Sequence, residues 1–180
     1  PSDHTYVILP FKMGRESELG KILTDYQFGG GEIPKDRLSI SEDKGVIIFK
    51  ADGKSRGKIG VSPKRALPLA ASYDSKNQVL TLAYFTLSDP EKGYVNSLWE
   101  LQDDPFNGDA VNSYNDGPLE DGGQLRPFYE IETSSAPAKL ARNESIRHVH
   151  GTVHLKGKKE PLEQITQKLF ALKLNEIKTQ

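Results

Sequence analysis

The sequence predicts an all-β protein, an antiparallel β-sandwich with one helix near its C-terminus. Sixteen Gly and eleven Pro among 180 residues, with frequent Asx-Gly pairs, favour strands joined by turns over a helical bundle. About eight segments have the period-two alternation or apolar character of strands. One segment near the C-terminus has helical spacing instead. The length predicts a single domain over residues 1–180.

The first 62 residues are predicted to hold a strand, a loop and a hairpin. The strand is expected at 5–11, and the polar, Gly-rich segment 13–44 is expected to be a loop with a short helix at 16–24. The segment 45–62 is predicted to be a β-hairpin, because Asp52-Gly53 accepts the positive φ of a tight turn.

The middle of the chain is predicted to supply the remaining strands. A second hairpin is expected from segments 66–74 and 78–87, which are joined across 75–77. The other predicted strands are 94–102, the start of 109–123, 126–135 and 146–157. Several of these segments are apolar on both faces, which is typical of a strand inside a sandwich.

The one clear helix is predicted at 160–174. Pro161 suits its first turn. Its apolar residues recur with helical spacing, so they should pack on the core. They are Leu162, Ile165, Leu169 and Leu172.

Composition excludes several classes of protein. The net charge is -1, from 25 acidic and 24 basic residues, whereas nucleic-acid binders usually have a basic excess. The absence of cysteine excludes thiol catalysis, zinc held by sulfur and disulfides. No apolar run approaches the roughly 20 residues of a membrane span, and no signal peptide is visible. The chain starts at Pro1 without an initiator Met, so we expect a processed form or a fragment.

The stretch "HVHGTVHLKG" at 148–157 contains three of the four histidines. In a strand, side chains alternate between faces. The polar face would then hold His148, His150, Thr152 and His154. The apolar face would hold Val149, Val153 and Leu155 and anchor the strand in the core.

Two glutamates share one face of the preceding predicted strand. Glu130 and Glu132 are separated from the histidines by a short connector, so antiparallel pairing should set carboxylates beside imidazoles. Such pairs can perform acid-base catalysis, because histidine titrates near neutral pH. They can also hold a divalent metal through nitrogen and oxygen. A solvated polar sheet face is the third interpretation.

Other residues are candidate ligand contacts. Asn112, Asn115 and Asp116, beside Tyr114, offer the planar donors and acceptors that sugar hydroxyls need. An Asx-rich turn that caps its own backbone is the alternative. Core packing is the alternative for Trp99, the single tryptophan. The stretch "GKSRGKIG" contains three basic residues, which suggest an anion site or a solvated hairpin tip. They are Lys54, Arg56 and Lys58.

Three long segments carry a resemblance to a known family. They are "DGKSRGKIGVSPKRALPLAASYD", "YVNSLWELQDDPFNGDAVNSYNDGP" and "PFYEIETSSAPAKLARNESIRHVHGTVHL". With the following helix, they resemble an uncharacterised bacterial family that is similar to galactose-mutarotase-like β-supersandwiches. The resemblance covers the chain from about position 45 and implies the C-terminal half of a larger supersandwich domain. Gly151 and Arg126 depart from it, where a larger residue and Gly would be expected.

The resemblance implies a carbohydrate ligand on a concave sheet and leaves the compartment open between bacterial periplasm and cytoplasm. A mutarotase or epimerase would use Glu130 or Glu132 as base and His148 or His150 as acid, with no cofactor. Trp99, Arg126 and His154 would join the asparagines in binding substrate. A non-catalytic carbohydrate-binding module and a metal-dependent, cupin-like isomerase are the alternatives.

Half of a supersandwich would leave sheet edges unpaired. Proteins normally cover or blunt such edges. We therefore expect a second chain or self-association to complete the sheets.

Overall fold

The computed structural model describes residues 1–24, 33–96 and 101–179. The strands are β1 (Thr5–Pro10), β2 (Ile22–Leu23), β3 (Leu38–Ser41), β4 (Val46–Lys50), β5 (Gly57–Val61), β6 (Leu69–Asp74), β7 (Val79–Phe85), β8 (Val111–Asn115), β9 (Tyr129–Thr133) and β10 (His150–Lys156). The helices are α1 (Glu16–Leu19) and α2 (Lys159–Phe170), with 3-10 turns at Lys35–Arg37 and Leu174–Glu176.

The strands form two antiparallel sheets. The six-stranded sheet has the order β10-β7-β6-β1-β4-β3, and the four-stranded sheet has the order β2-β5-β8-β9. The prediction of an antiparallel β protein with a helix near the C-terminus is confirmed. Each sheet has two end strands, and among the described residues an end strand is hydrogen-bonded to a neighbouring strand on one side only. The end strands are β10, β3, β2 and β9.

Alternation along the strands builds a core between the two sheets. Val7 and Phe49 of the larger sheet are buried there with Ile59 and Val111 of the smaller one. Residues at odd positions of β1 thus face the four-stranded sheet. The next residue of β1, Ile8, belongs to a second core on the opposite face.

Helix α2 covers that opposite face of the larger sheet. Leu162, Thr166 and Phe170 are buried, four residues apart along one side of the helix. The prediction that Leu169 packs in the core is wrong, because its position on the flank of this side leaves it 41% exposed. The helix ends before 174, since Ala171 turns to a left-handed conformation with φ 54°.

Residue Leu172 follows that turn and is buried against the same sheet. Ile165 packs against this core from a partly buried position. The predicted apolar set therefore reaches the core through Leu162, Ile165 and Leu172.

The predicted hairpin at 45–62 is wrong, because β4 and β5 belong to different sheets. The Asp52 carboxylate accepts hydrogen bonds from the buried Arg37 guanidinium, at 2.5 Å to Nη2. Gly53 has the expected positive φ of 72°, and its N–H donates to Asn115 Oδ1 at 2.9 Å. These contacts lead the chain across the sandwich instead of back along one sheet.

Other local predictions have mixed outcomes. The second hairpin is confirmed, because β6 and β7 pair from Leu69↔Tyr84 to Asp74↔Val79. Strand β3 lies in the segment predicted to be a loop. Within 94–102, the described residues form only an isolated bridge from Tyr94 to Asn107. Across the described ranges, no helix combines the length and apolar character of a membrane span.

Candidate functional site

The outer face of the four-stranded sheet is polar, because its strands alternate. Ile59 and Val111 point between the sheets, so their neighbours along the chain point outward. The register places Lys58 of β5 opposite Tyr114 of β8. It also places Tyr114 opposite Glu130 of β9. A basic, a phenolic and an acidic side chain thus lie side by side on one face.

These side chains line an open cavity of about 330 Å³, which we call the outer cavity. Its walls combine charged groups with apolar ones. The lining residues are Arg56, Lys58, Tyr114, Leu125, Phe128, Glu130 and Glu132. Small-molecule sites commonly have this mixture of apolar surface and a few converging polar groups.

Charge interactions fix the floor of the outer cavity. Lys58 is 6% exposed, and its Nζ lies 2.9 Å from Glu132 Oε2. Burial raises the pKa of the Glu130 carboxyl, and the neighbouring charge of Glu132 raises it further, although Lys58 acts in the opposite direction. Glu130 is therefore easier to protonate than an ordinary glutamate, which suits a group that exchanges a proton.

The buried carboxylate of Asp116 contacts three residues at the end of the cavity beside Arg56. Asp116 is fully buried and accepts hydrogen bonds from the Tyr114 hydroxyl at 2.8 Å and the Arg126 N–H at 3.3 Å. Arg56 Nε lies 3.5 Å from the same carboxylate. Burial alone would raise the pKa of Asp116, but the bonds from Tyr114 and the backbone, with the charge of Arg56, lower it overall.

The Tyr114 phenol is held in its protonated form. Burial and the hydrogen bond to Asp116 raise the pKa of Tyr114 to about 12. The Tyr114 hydroxyl donates its proton in a hydrogen bond to Asp116. This bond fixes the orientation of the Tyr114 ring, which lines the cavity. Phe128 packs beside this ring with a centroid distance of 5.9 Å.

The two predicted asparagine contacts serve different ends. Asn112 Nδ2 donates to Asp109 Oδ1 at 3.0 Å. Its buried Oδ1 has no hydrogen-bond partner among the described residues. Asn115 is fully buried and bonds to the Gly53 N–H and to the Ser55 carbonyl. Asn115 thus connects β8 to the segment that crosses between the sheets, and its side-chain bonds do not cap its own turn.

The predicted pairing of the glutamate and histidine strands is wrong. β9 pairs with β8 in the smaller sheet, whereas β10 pairs with β7 in the larger sheet. The connector between them crosses from one sheet to the other. Glu130 and Glu132 line the outer cavity, while His150 lines a separate cleft with Tyr129 and Ile131 from the opposite face of β9.

The histidines contact hydroxyl groups instead of carboxylates. Thr133 Oγ1 lies 2.8 Å from His148 Nε2 and 2.9 Å from His150 Nδ1. His154 Nδ1 lies 3.0 Å from Thr81 Oγ1. The structure brings His148 and His150 together, but it separates both from the predicted glutamate base.

Three further positions complete the outcome for the predicted residues. Trp99 lies outside the described residues. Arg126 is exposed and contributes its backbone N–H to Asp116. Gly151 lies beneath the Tyr84 ring, since an added Cβ would come within 2.1 Å of Tyr84 Cζ. An aromatic ring over an edge-strand glycine is a known way to cover that weak point.

Sequence reasoning missed part of the cavity wall. Arg56 and Lys58 were expected at a solvated hairpin tip if they did not bind an anion, yet Lys58 is buried in a strand. Its alternation with Ile59 was the available signal. Tyr114, Leu125 and Phe128 also line the cavity. Phe128 lies in the segment predicted to be a strand and alternates with Glu130 and Glu132, so the pattern could have found it, whereas Leu125 lies in a loop without periodicity.

A metal site was the other interpretation of the histidine and glutamate groups. Among residues 1–24, 33–96 and 101–179, no three His, Asp or Glu side chains come close enough to hold a metal ion. The described side chains thus provide no donor set for the metal-dependent alternative.

Fold and site define a two-sheet antiparallel β protein with an open polar cavity on its smaller sheet. A model for a family of unknown function, DUF6786, matches residues 1–180, so the chain belongs to this family. Comparison with curated proteins and with solved structures found no match.

Proposed function

We propose that the protein binds a carbohydrate in the outer cavity and that Glu130 exchanges a proton with it. The convergence of Lys58, Glu130 and Glu132 beside apolar walls in one cavity is the observation that carries this proposal, and the raised pKa of the Glu130 carboxyl supports it. We also propose that the fold is of the galactose-mutarotase-like supersandwich type and that this chain forms the C-terminal half of such a domain.

The walls suit the two kinds of surface that a sugar ring has. Phe128 and Leu125 offer apolar surface to the C–H faces. Arg56, Lys58 and Glu132 offer donors and acceptors to the hydroxyl groups around the ring edge. The Lys58–Glu132 ion pair keeps two of these groups in a fixed geometry, which a binding site requires.

A mutarotase-type reaction defines a role for each titratable group. Glu130 takes the proton of the anomeric hydroxyl as the bond from the anomeric carbon to the ring oxygen breaks. Lys58 gives a proton to that ring oxygen, and both transfers reverse when the ring closes on the other face. This assigns the acid to Lys58 because His148 and His150 contact Thr133, on the opposite face of β9.

The test measures binding and turnover separately. A panel of aldoses is titrated by calorimetry, and exchange between their anomers is followed by NMR. We expect a saturable isotherm for at least one sugar and faster anomer exchange in its presence. Glu130→Gln should lose exchange, while the charge-matched control Glu160→Gln, on the exposed first turn of α2, should behave as wild type.

Two outcomes would change or end the proposal. Binding without faster exchange in wild type would assign a non-catalytic binding module. If no sugar binds, or if Glu130→Gln and Glu160→Gln bind and exchange equally well, the outer cavity is not a carbohydrate site.

A further inference from the structure

Imidazoles and hydroxyls alternate along one chain of hydrogen bonds at the open edge of the sandwich. Thr133 Oγ1 lies between His148 Nε2 and His150 Nδ1, at 2.8 and 2.9 Å. His150 Nε2 lies 3.2 Å from Thr152 Oγ1. His148 Nδ1 lies 3.4 Å from Thr86 Oγ1. This hydrogen-bonded chain of side chains joins β9 of the smaller sheet to β10 of the larger one. None of its members lines the outer cavity.

The number of mobile protons in this hydrogen-bonded chain determines how many hydrogen-bond donors point away from it. Each hydroxyl and each neutral imidazole has one mobile proton. A neutral chain of these five groups therefore fills its four links and leaves one donor directed outward, at one end. One added proton leaves an outward donor at both ends. The Thr152 hydroxyl then accepts from His150 and donates away from the chain, which as a whole carries one positive charge.

That free donor lies in a cleft. His150 and Thr152 line a space of about 200 Å³, which we call the edge cleft. Thr81 also lines it, and its Oγ1 lies 3.0 Å from His154 Nδ1. When His154 donates to Thr81, the Thr81 hydroxyl can donate to a ligand as well. The cleft thus collects two hydroxyl donors and an imidazole.

One acidic group acts on the lining of the edge cleft, since burial raises the pKa of the Tyr129 phenol and the charge of Asp74 raises it further. Alternation places His154 and Lys156 on the same face of β10 as His150. The other described lining residues are uncharged: Thr81 and Ala83 from β7, Tyr129 and Ile131 from β9, and Thr152 from β10. The described lining therefore contains no carboxylate to repel an anion.

We propose that the edge cleft is a second binding site, which takes a tetrahedral oxyanion such as a sulfate or phosphate group. Its ligands are the protonated histidine-threonine chain and the Thr152 and Thr81 hydroxyls. Hydrogen bonds from charged donors to oxyanions are among the strong ones. Binding also takes up a proton, because the cationic form of the chain is the one that binds.

Sulfate is the probe of choice, since its charge is constant across neutral pH. Histidine ring signals are followed by NMR during sulfate titrations at pH 6, 7 and 8, with chloride used to keep ionic strength constant. We expect saturable shifts of the His150 ring and smaller ones of His148. The affinity should be lower at pH 8 than at pH 6, because the proposed binding takes up a proton.

His4 is the internal control, because it is the one histidine away from this face and lines another cavity with Lys159. Equal, non-saturating drift of all four histidine signals would overturn the proposal on wild-type protein alone. An affinity that does not change with pH would also overturn it.

Two variants test the named donors. Thr152→Val keeps the shape and removes the hydroxyl, so sulfate affinity should fall about tenfold, as expected for one charge-assisted hydrogen bond. His150→Gln should abolish the saturable shift of the remaining ring signals, and His4→Gln should leave it intact. Wild-type affinity in both Thr152→Val and His150→Gln would refute the site.

A third set of titrations identifies the source of the oxyanion. Inorganic sulfate, inorganic phosphate, a sugar sulfate, a sugar phosphate and the neutral parent sugar are compared at pH 6. Tighter binding of the sugar esters assigns an acidic carbohydrate, and equal binding of ester and inorganic ion assigns the free anion. Binding of the neutral sugar alone at this cleft would contradict an oxyanion site. The result is independent of the outer cavity, because Glu130→Gln should not alter it.

Discussion

The two faces of β9 carry polar clusters that are built on different principles. On the outer face, the buried Lys58 pairs with the more exposed Glu132, and the buried Asp116 pairs with the partly exposed Arg56. On the inner face at the sandwich edge, Thr133 joins the half-buried His148 and the exposed His150 through hydrogen bonds. The outer cluster is held by ion pairs, whereas the edge cluster is held by hydrogen bonds between imidazole and hydroxyl groups.

Desolvation explains the contrast. A buried charge is tolerated when a partner and hydrogen bonds compensate for the lost water. Asp116 meets this condition through Tyr114, Arg126 and Arg56. His148 and His150 keep more of their hydration and contact hydroxyl groups, so they need less compensation. Stability should therefore depend more on the outer cluster than on the edge cluster.

The largest effect is expected from Asp116→Ala. This change leaves the Arg56 charge and the Tyr114 hydroxyl without their buried acceptor. The free energy of unfolding should fall by about 3–5 kcal/mol, the usual cost of removing one partner of a buried pair. Chemical denaturation at pH 7 measures it. A loss below about 1 kcal/mol would contradict the account of the outer cluster.

The same carboxylate predicts a loss of stability in acid. Because the folded pKa of Asp116 is lowered, its contribution is fully present above the unfolded pKa of about 3.9 and is lost as pH falls through the folded value. The stability difference between wild type and Asp116→Ala should therefore narrow below about pH 4. Unfolding curves of both proteins from pH 7 to pH 3 test this, and a constant difference would contradict it.

A smaller effect is expected at the edge cluster. Thr133→Val keeps the side-chain shape but removes the hydroxyl that both imidazoles contact. The loss should be about 1 kcal/mol, the net value of a typical hydrogen bond, since water can replace the bonds at this exposed site. Denaturation of Thr133→Val beside Asp116→Ala makes the comparison direct. Equal losses would mean that the two clusters do not differ as described.

The smallest effect on stability, and one of opposite sign, is expected from Glu130→Gln. A raised folded pKa means that ionisation of Glu130 is less favourable in the folded protein. Wild-type stability should then decline as pH rises past the unfolded pKa of glutamate. The amide removes this decline, so Glu130→Gln should be at least as stable as wild type at pH 7. A clear loss of stability at pH 7 would mark Glu130 as structural.

The strand patterns predicted much of the fold and two of the residues that line the outer cavity, Glu130 and Glu132. Alternation in β9 correctly placed Glu130 and Glu132 on one face, since side-chain periodicity is a local property. It could not show that the chain changes sheets between Thr133 and His150. That crossing depends on tertiary pairing of β9 with β8 and of β10 with β7. Because β9 and β10 are not neighbours in one sheet, the predicted glutamate base and histidine acid lie apart.

Non-local contacts account for the other errors as well. The positive φ of Gly53 was predicted correctly, but the contacts that direct this segment away from a hairpin come from Arg37 and Asn115, which are distant in sequence. The apolar spacing of α2 was also correct. Thr166 and Phe170 rather than Leu169 face the sheet, because the orientation of a helix depends on the surface that it meets.

The most direct test of the central claim asks which face of β9 holds the carbohydrate. The affinity of the tightest-binding sugar from the aldose panel is measured by calorimetry for Glu130→Gln and for the double variant His148→Ala/His150→Ala. Both proteins are first shown to be folded. The account predicts that binding is lost or strongly weakened in Glu130→Gln and stays at the wild-type level in the double variant. Normal binding by Glu130→Gln with loss in the double variant would contradict it and return the carbohydrate site to the histidine row.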